Sequence, residues 1–130
     1  MSIIEMISEH PDVQGHLNEP LAQAVRHAMY CAAICNSCAD ACAAEDDVAH
    51  RRDCIRKCMD CADICDATTR IAARRTGSNE QVLRAVLEVC AMVCEECAAM
   101  CEKHSDAHCE RCAKMCRECA ESCRTAASKL

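Results

Sequence analysis

An all-α fold, specifically an antiparallel up-down-up-down four-helix bundle with a short N-terminal helical extension, is predicted by three features of this 130-residue chain. Cysteine recurs in four blocks with steps of 4, 3 and 4 residues, the a/d seam of a heptad. The only prolines are Pro11 and Pro20, so proline bars nothing after Pro20 from being helix. The breaks between blocks are short, which forces consecutive helices to run antiparallel.

Each element has its own signals. Ile3 to His10 forms a short helix before Pro11. The first long helix runs from about Glu19 to Ala44, with Asn18 as cap and Pro20 at an early helical position. Ala44 to Asp47 is the first turn, and the second helix continues from it to about Arg75. Thr76-Gly77-Ser78-Asn79 is the clearest break, with Gly77 suited to a helix end and Ser78 or Asn79 to the next cap. The third helix runs to about Lys103. A weak turn, His104 to Ala107 with Ser105 as cap, leads into the fourth, which ends near Ser128. Residues 1–130 read as a single domain, with residues 1–17 as an extension.

The seam sorts the core into two parts. The blocks are Cys31, Cys35, Cys38, Cys42; Cys54, Cys58, Cys61, Cys65; Cys90, Cys94, Cys97, Cys101; and Cys109, Cys112, Cys116, Cys119, Cys123. Outside them the seam carries Leu21, Ala24 and Ala28, then Thr68 and Ala72, Leu83 and Leu87, and finally Ala126 and Leu130. In an antiparallel bundle those residues meet at the end holding both termini and form an apolar plug. Alanines on a flanking column, such as Ala39, Ala91 and Ala120, let the helices approach closely.

Composition narrows the function classes. With 15 basic and 21 acidic residues the net charge is -6, which disfavours a nucleic-acid binder. Arg51-Arg52 and Arg74-Arg75 read as solvated helix faces. There is no run of 18 apolar residues to span a membrane. The 17 cysteines would ordinarily suggest a secreted disulfide scaffold. Their odd number, the lack of a signal-peptide pattern at Met1-Ser2-Ile3-Ile4-Glu5 and the helical period oppose that reading. The expected compartment is the cytoplasm, with reduced thiols. No nucleophile–base pair, carboxylate dyad or phosphate loop is visible, so the chain reads as a non-enzyme.

A core with no Phe or Trp and this many small thiols would be underpacked on its own. Thiolates at i and i+4 lie about 6 Å apart on one helix face and can share an ion at about 2.2 Å each. Each four-cysteine stripe spans about 16 Å of helix, a column of sites rather than one. Charge selects the metal. A tetrathiolate zinc site carries net negative charge, and several in a dry core are expensive without a lysine or arginine on the seam, where none is expected. Cu(I) with one thiolate per ion is neutral. The reading is therefore multiple Cu(I) ions. A zinc or general heavy-metal buffer, a thiol protein that forms disulfides on oxidation and an iron–sulfur carrier are the alternatives.

His104 falls on the seam past Cys101, and His108 precedes Cys109 on a flanking position; both lie at the thiol-rich end. They either receive copper before it passes to thiolates or merely cap the bundle. Met100 and Met115 flank the seam as soft ligands or gap fillers.

The four cysteine blocks resemble those of the four-helix-bundle copper storage proteins, particularly the cytosolic branch, over nearly the whole chain. The resemblance implies many Cu(I) ions along the core, an entrance at a histidine-bearing end matched by His104 and His108, and a homotetramer. It leaves a copper chaperone or a low-molecular-weight copper ligand as the partner for exchange.

Overall fold

The computed structural model describes all residues, 1–130. Five α-helices and one 3₁₀ turn follow in order: α1 (Ile3–Ser8), α2 (Glu19–Ala43), the 3₁₀ turn Val48–His50, α3 (Arg52–Ala73), α4 (Glu80–Cys101) and α5 (Ala107–Ser128). The four long helices form a closed ring in which α2 packs against α3 and α5, and α4 against the same two. Asn18 Nδ2 donates to the Lys129 carbonyl at 3.5 Å, so the start of α2 meets the end of α5 as antiparallel packing requires.

Several local expectations hold. The Asn18 side chain accepts from the Leu21 amide, and Pro20 sits in the first turn of α2, where a missing N–H costs nothing. Gly77 adopts φ +67°, the left-handed conformation, but within the α3–α4 turn, four residues past the end of α3 and not at it. Other boundaries differ. The second long helix begins at Arg52 rather than just after Asp47, because a 3₁₀ turn intervenes. It stops at Ala73, and Arg74 is extended. Asp106, not Ser105, occupies the cap position of α5. The short first helix ends at Ser8, two residues before His10.

The apolar plug is present. Leu21, Ala24, Ala28, Thr68, Ala72, Leu83, Leu87 and Ala126 are buried, with Leu130 partly so. Thr68 is tolerated there because its hydroxyl donates to the Ile64 carbonyl at 2.7 Å. The extension adds Ile7 and Val13 to the core. It is tied to the α3–α4 connection by His10 Nε2 and Thr76 Oγ1 at 3.2 Å and by the Gly77 amide donating to Asp12 at 3.3 Å.

Two arginines depart from the solvated role expected of them. Arg52 and Arg74 are exposed. Arg75 is half-buried, with Nε donating to the Ala72 carbonyl at 2.7 Å, and burial lowers its pKa. Arg51 is buried, at 5% exposure, at the end opposite the termini. It lies three residues before Cys54, on the extrapolated seam, so the expectation of a seam free of cations is corrected at this one position. The same 4-3-4 register that buries the cysteines carries Arg51 inward.

Candidate metal centre

All 17 cysteines are unpaired thiols and all are buried. The reason is the seam: every residue at its a/d positions faces the bundle axis, and cysteine fills those positions from Cys31 to Cys42 on α2, with the matching stripes on α3, α4 and α5. Cys38, the most accessible, is 2% exposed.

The sulfurs form a connected column. Within one helix, Cys31 and Cys35 lie 3.7 Å apart and Cys61 and Cys65 3.9 Å apart. The i, i+4 pairing expected from the spacing is thus realised there, but cross-helix approaches are equally short or shorter. Cys35 and Cys116 approach to 3.4 Å, Cys61 and Cys94 to 3.6 Å, Cys58 and Cys97 to 3.6 Å, and Cys65 and Cys90 to 3.7 Å. Ligand atoms gather in overlapping quartets within 4.8 Å of one another, drawn from three or four helices: Cys31, Cys61, Cys65 and Cys94; Cys35, Cys97, Cys112 and Cys116; Cys38, Cys58, Cys101 and Cys112. A further quartet, Cys31, Cys35, Cys61 and Cys116, overlaps the first two, so Cys31, Cys35, Cys61 and Cys116 each belong to more than one grouping and a thiolate there can bridge neighbouring ions.

Protons in this column are shared. Where two sulfurs touch, one donates and the other accepts, so contact with Cys116 holds Cys31 down while contact with Cys112 pushes Cys35 up. A Cu(I) ion that replaces such a proton leaves the charge of the core unchanged.

The thiol-rich end has a different chemistry. His108 joins Cys38, Cys42 and Cys109 in one quartet. Its Nδ1 is 3.4 Å from Cys38 Sγ and 3.6 Å from Cys109 Sγ, and its Nε2 is 3.4 Å from Glu45. The Cys38 contact raises the His108 pKa against the effect of burial, with the Cys38 charge, the Glu45 hydrogen bond and the Asp106 charge adding to it. Cys38 is lowered to about 7, chiefly by Cys101, with His108 contributing. Cys42 is pushed up to about 11 by burial, opposed by Arg51.

His104 is half-buried in the α4–α5 turn and its ring makes no hydrogen bond. The two histidines are therefore not equivalent: His108 touches sulfur, and His104 does not. His50 is exposed on the 3₁₀ turn. At the far end His27 faces Ser122, 2.9 Å away. Met115 is buried and Met100 partly buried against the thiol core, while Met59 and Met92 are exposed.

Arg51 is the residue that sequence reasoning missed. Its Nε donates to Asp47 at 2.6 Å and its Nη1 to Asp106 at 2.6 Å; Nη1 also lies 3.8 Å from both Cys42 Sγ and Cys109 Sγ. Continuing the seam one step of three before Cys54 would have found it. Its charge is committed to two carboxylates, so the thiol column beyond it still holds no buried cation.

Comparison with known proteins gives a consistent result. No curated protein matches the chain. The structure of the copper storage protein Ccsp from Streptomyces lividans, loaded with 10 copper equivalents, matches with a TM-score of 0.94 and 38% identity over 99% of this chain and 100% of that one. A cytosolic copper storage protein from Streptomyces lividans with five coppers matches with a TM-score of 0.84 and 42% identity, covering 86% of this chain and 95% of that one. The apo form of copper storage protein 3 from Bacillus subtilis matches with a TM-score of 0.72 and 33% identity over 81% of this chain and 96% of that one. The family model described as copper storage protein matches residues 17–128, which span all four cysteine-bearing helices, and the chain therefore belongs to the copper storage protein family.

Proposed function

We propose that this chain stores Cu(I) in the cytoplasm, on the 17 cysteines Cys31 to Cys123, as one domain spanning residues 1–130. The observation that carries this reading is the unbroken column of buried, unpaired thiols with quartets of ligand atoms within 4.8 Å. Soft thiolates suit Cu(I), which accepts two or three ligands and can be passed between overlapping quartets. Charge neutrality favours it over zinc, since one thiolate per Cu(I) adds no net charge to a dry core. If each thiolate bridges two ions and each ion has two thiolates, the capacity is about 17.

His108 serves as the receiving ligand beside Cys38, Cys42 and Cys109, and His104 assists at the same end. The likeness to a cytosolic relative supports the compartment. No helix is long and apolar enough to cross a membrane. The protein acts as a store rather than a catalyst, assembles as a homotetramer, and exchanges copper with a chaperone or a low-molecular-weight ligand.

Anaerobic titration of reduced protein with Cu(I), against a competing chelator, tests the reading. A break near one copper per cysteine supports it; saturation at one to four ions overturns it. His104→Ala and His108→Ala should slow loading while leaving capacity nearly intact, with the larger effect at His108. Lost capacity would instead make the histidines storage ligands.

A further inference from the structure

The thiol-rich end of the bundle meets solvent in two ways. On its flank, Cys38 and His108 line a cleft of about 250 Å³ together with Ile34, Ser37, Ala107 and Arg111. On the axis, Cys42 and Cys109 are fully buried beneath the Arg51 guanidinium. We propose that Arg51 is a latch, a positioning residue that closes the axial route to Cys42 and Cys109 and confines copper exchange to the His108–Cys38 flank. The proposal rests on the ligand roles assigned above.

The seam register turns Arg51 inward, but the start of a helix does nothing to compensate its charge. Arg51 occupies the cap position of α3, where a positive charge is disfavoured by the helix dipole, and it caps no amide with its side chain. Arginine is almost never buried unless paired. Its neighbour Arg52 has the same backbone neighbourhood and stays exposed.

The compensation is tertiary. Asp47 belongs to the α2–α3 connection, and Asp106 caps the start of α5. One planar guanidinium holds both at 2.6 Å and so ties one helical hairpin to the other across the mouth. Asp106 is further oriented by Cys109, whose thiol donates to it at 3.7 Å. A guanidinium has no lone pair to offer a metal. Its approach to two sulfurs is therefore cover, not coordination, and an ion can reach Cys42 and Cys109 along the axis only if Arg51 swings away from both carboxylates.

The test uses the full chain, loaded anaerobically with Cu(I) and mixed with excess of a strong bidentate Cu(I) chelator, with release followed by stopped-flow absorbance. Arg51→Gln should release copper about tenfold faster, the scale expected for losing a charge-assisted pair. Arg51→Lys, which satisfies one carboxylate at a time, should lie between Arg51→Gln and the parent. Asp106→Asn should accelerate release less than Arg51→Gln, and it carries the test if Arg51→Gln fails to fold.

A second readout separates a latch from a general structural role. His108→Ala should slow exchange in the parent and lose most of that effect in the Arg51→Gln background, where the axial route is open. Release at the parental rate in Arg51→Gln, or equal slowing by His108→Ala in both backgrounds, overturns the latch. A parent that binds only one to four ions sinks the ligand assignment and the latch together; a parent that binds many, with Arg51→Gln at the parental rate, sinks the latch alone.

Discussion

At the end carrying both termini the seam holds Leu21, Leu83 and Leu87; half a helix further along, the same seam positions hold cysteine. The backbone geometry is continuous between the two halves, yet they are filled differently. The plug buries large aliphatic groups worth about 1.5–3 kcal/mol each and is reinforced by Ile7 and Val13 of the extension. The thiol half buries small side chains whose sulfurs touch one another and whose contribution to folding is modest. The contrast teaches that a storage core need not hold itself together: the plug can supply the fold and leave the remaining seam free for cargo.

The largest effect expected from this division is on the loaded protein. Copper should raise the thermal midpoint far above that of the apo form, since each site held at a thousandfold above its Kd adds about 4 kcal/mol. Apo-protein should nevertheless show a helical circular dichroism spectrum, and a largely unfolded one would break the comparison outright. Next in size, Leu87→Ala should destabilise apo-protein by about 2–5 kcal/mol in urea melts without changing copper capacity.

Cys116→Ala probes the other half. Cys116 touches Cys31, Cys35 and Cys61, so its loss should remove ions from the titration while costing apo-protein only about 1 kcal/mol. If Cys116→Ala destabilises as much as Leu87→Ala, the thiols are structural and the division fails. The smallest effect is at the surface. Arg124 donates two bonds of 2.8 Å to Glu95 and depresses its pKa. A depressed carboxyl contributes stability that is present at neutral pH and is lost as pH falls through the folded pKa. Glu95→Gln should therefore shift the midpoint only slightly, with the difference removed by 1 M salt and with copper capacity unchanged.

Much of this was legible before any coordinates. The 4-3-4 steps placed every cysteine inward, and the apolar extrapolations such as Thr68, Ala72 and Ala126 were buried as read. Helix ends were less legible. The 3₁₀ turn at Val48–His50 has no strong local signal, and Asp106 and Ser105 are both acceptable caps by type. His104 and His108 looked alike in sequence, one on the seam and one beside it. Only the path of the α4–α5 turn decides that His108 reaches sulfur at 3.4 Å while His104 does not.

What the sequence determined by itself is the class of the molecule: four helices, one face of each lined with soft ligands, and an apolar closure at one end. Heptad phase is a local property, set by 3.6 residues per turn, and it needs no knowledge of the partner helices. What only the tertiary structure decided is which sulfurs share a site and how the mouth is closed. The cross-helix approaches of 3.4 to 3.7 Å depend on the axial stagger of neighbouring helices, and the burial of Arg51 depends on two aspartates from separate loops arriving at one guanidinium. The seam register points Arg51 inward and the chain places Asp47 four residues before it, but the sulfur pairings across helices and the arrival of Asp106 join residues that meet only after the hairpins have packed.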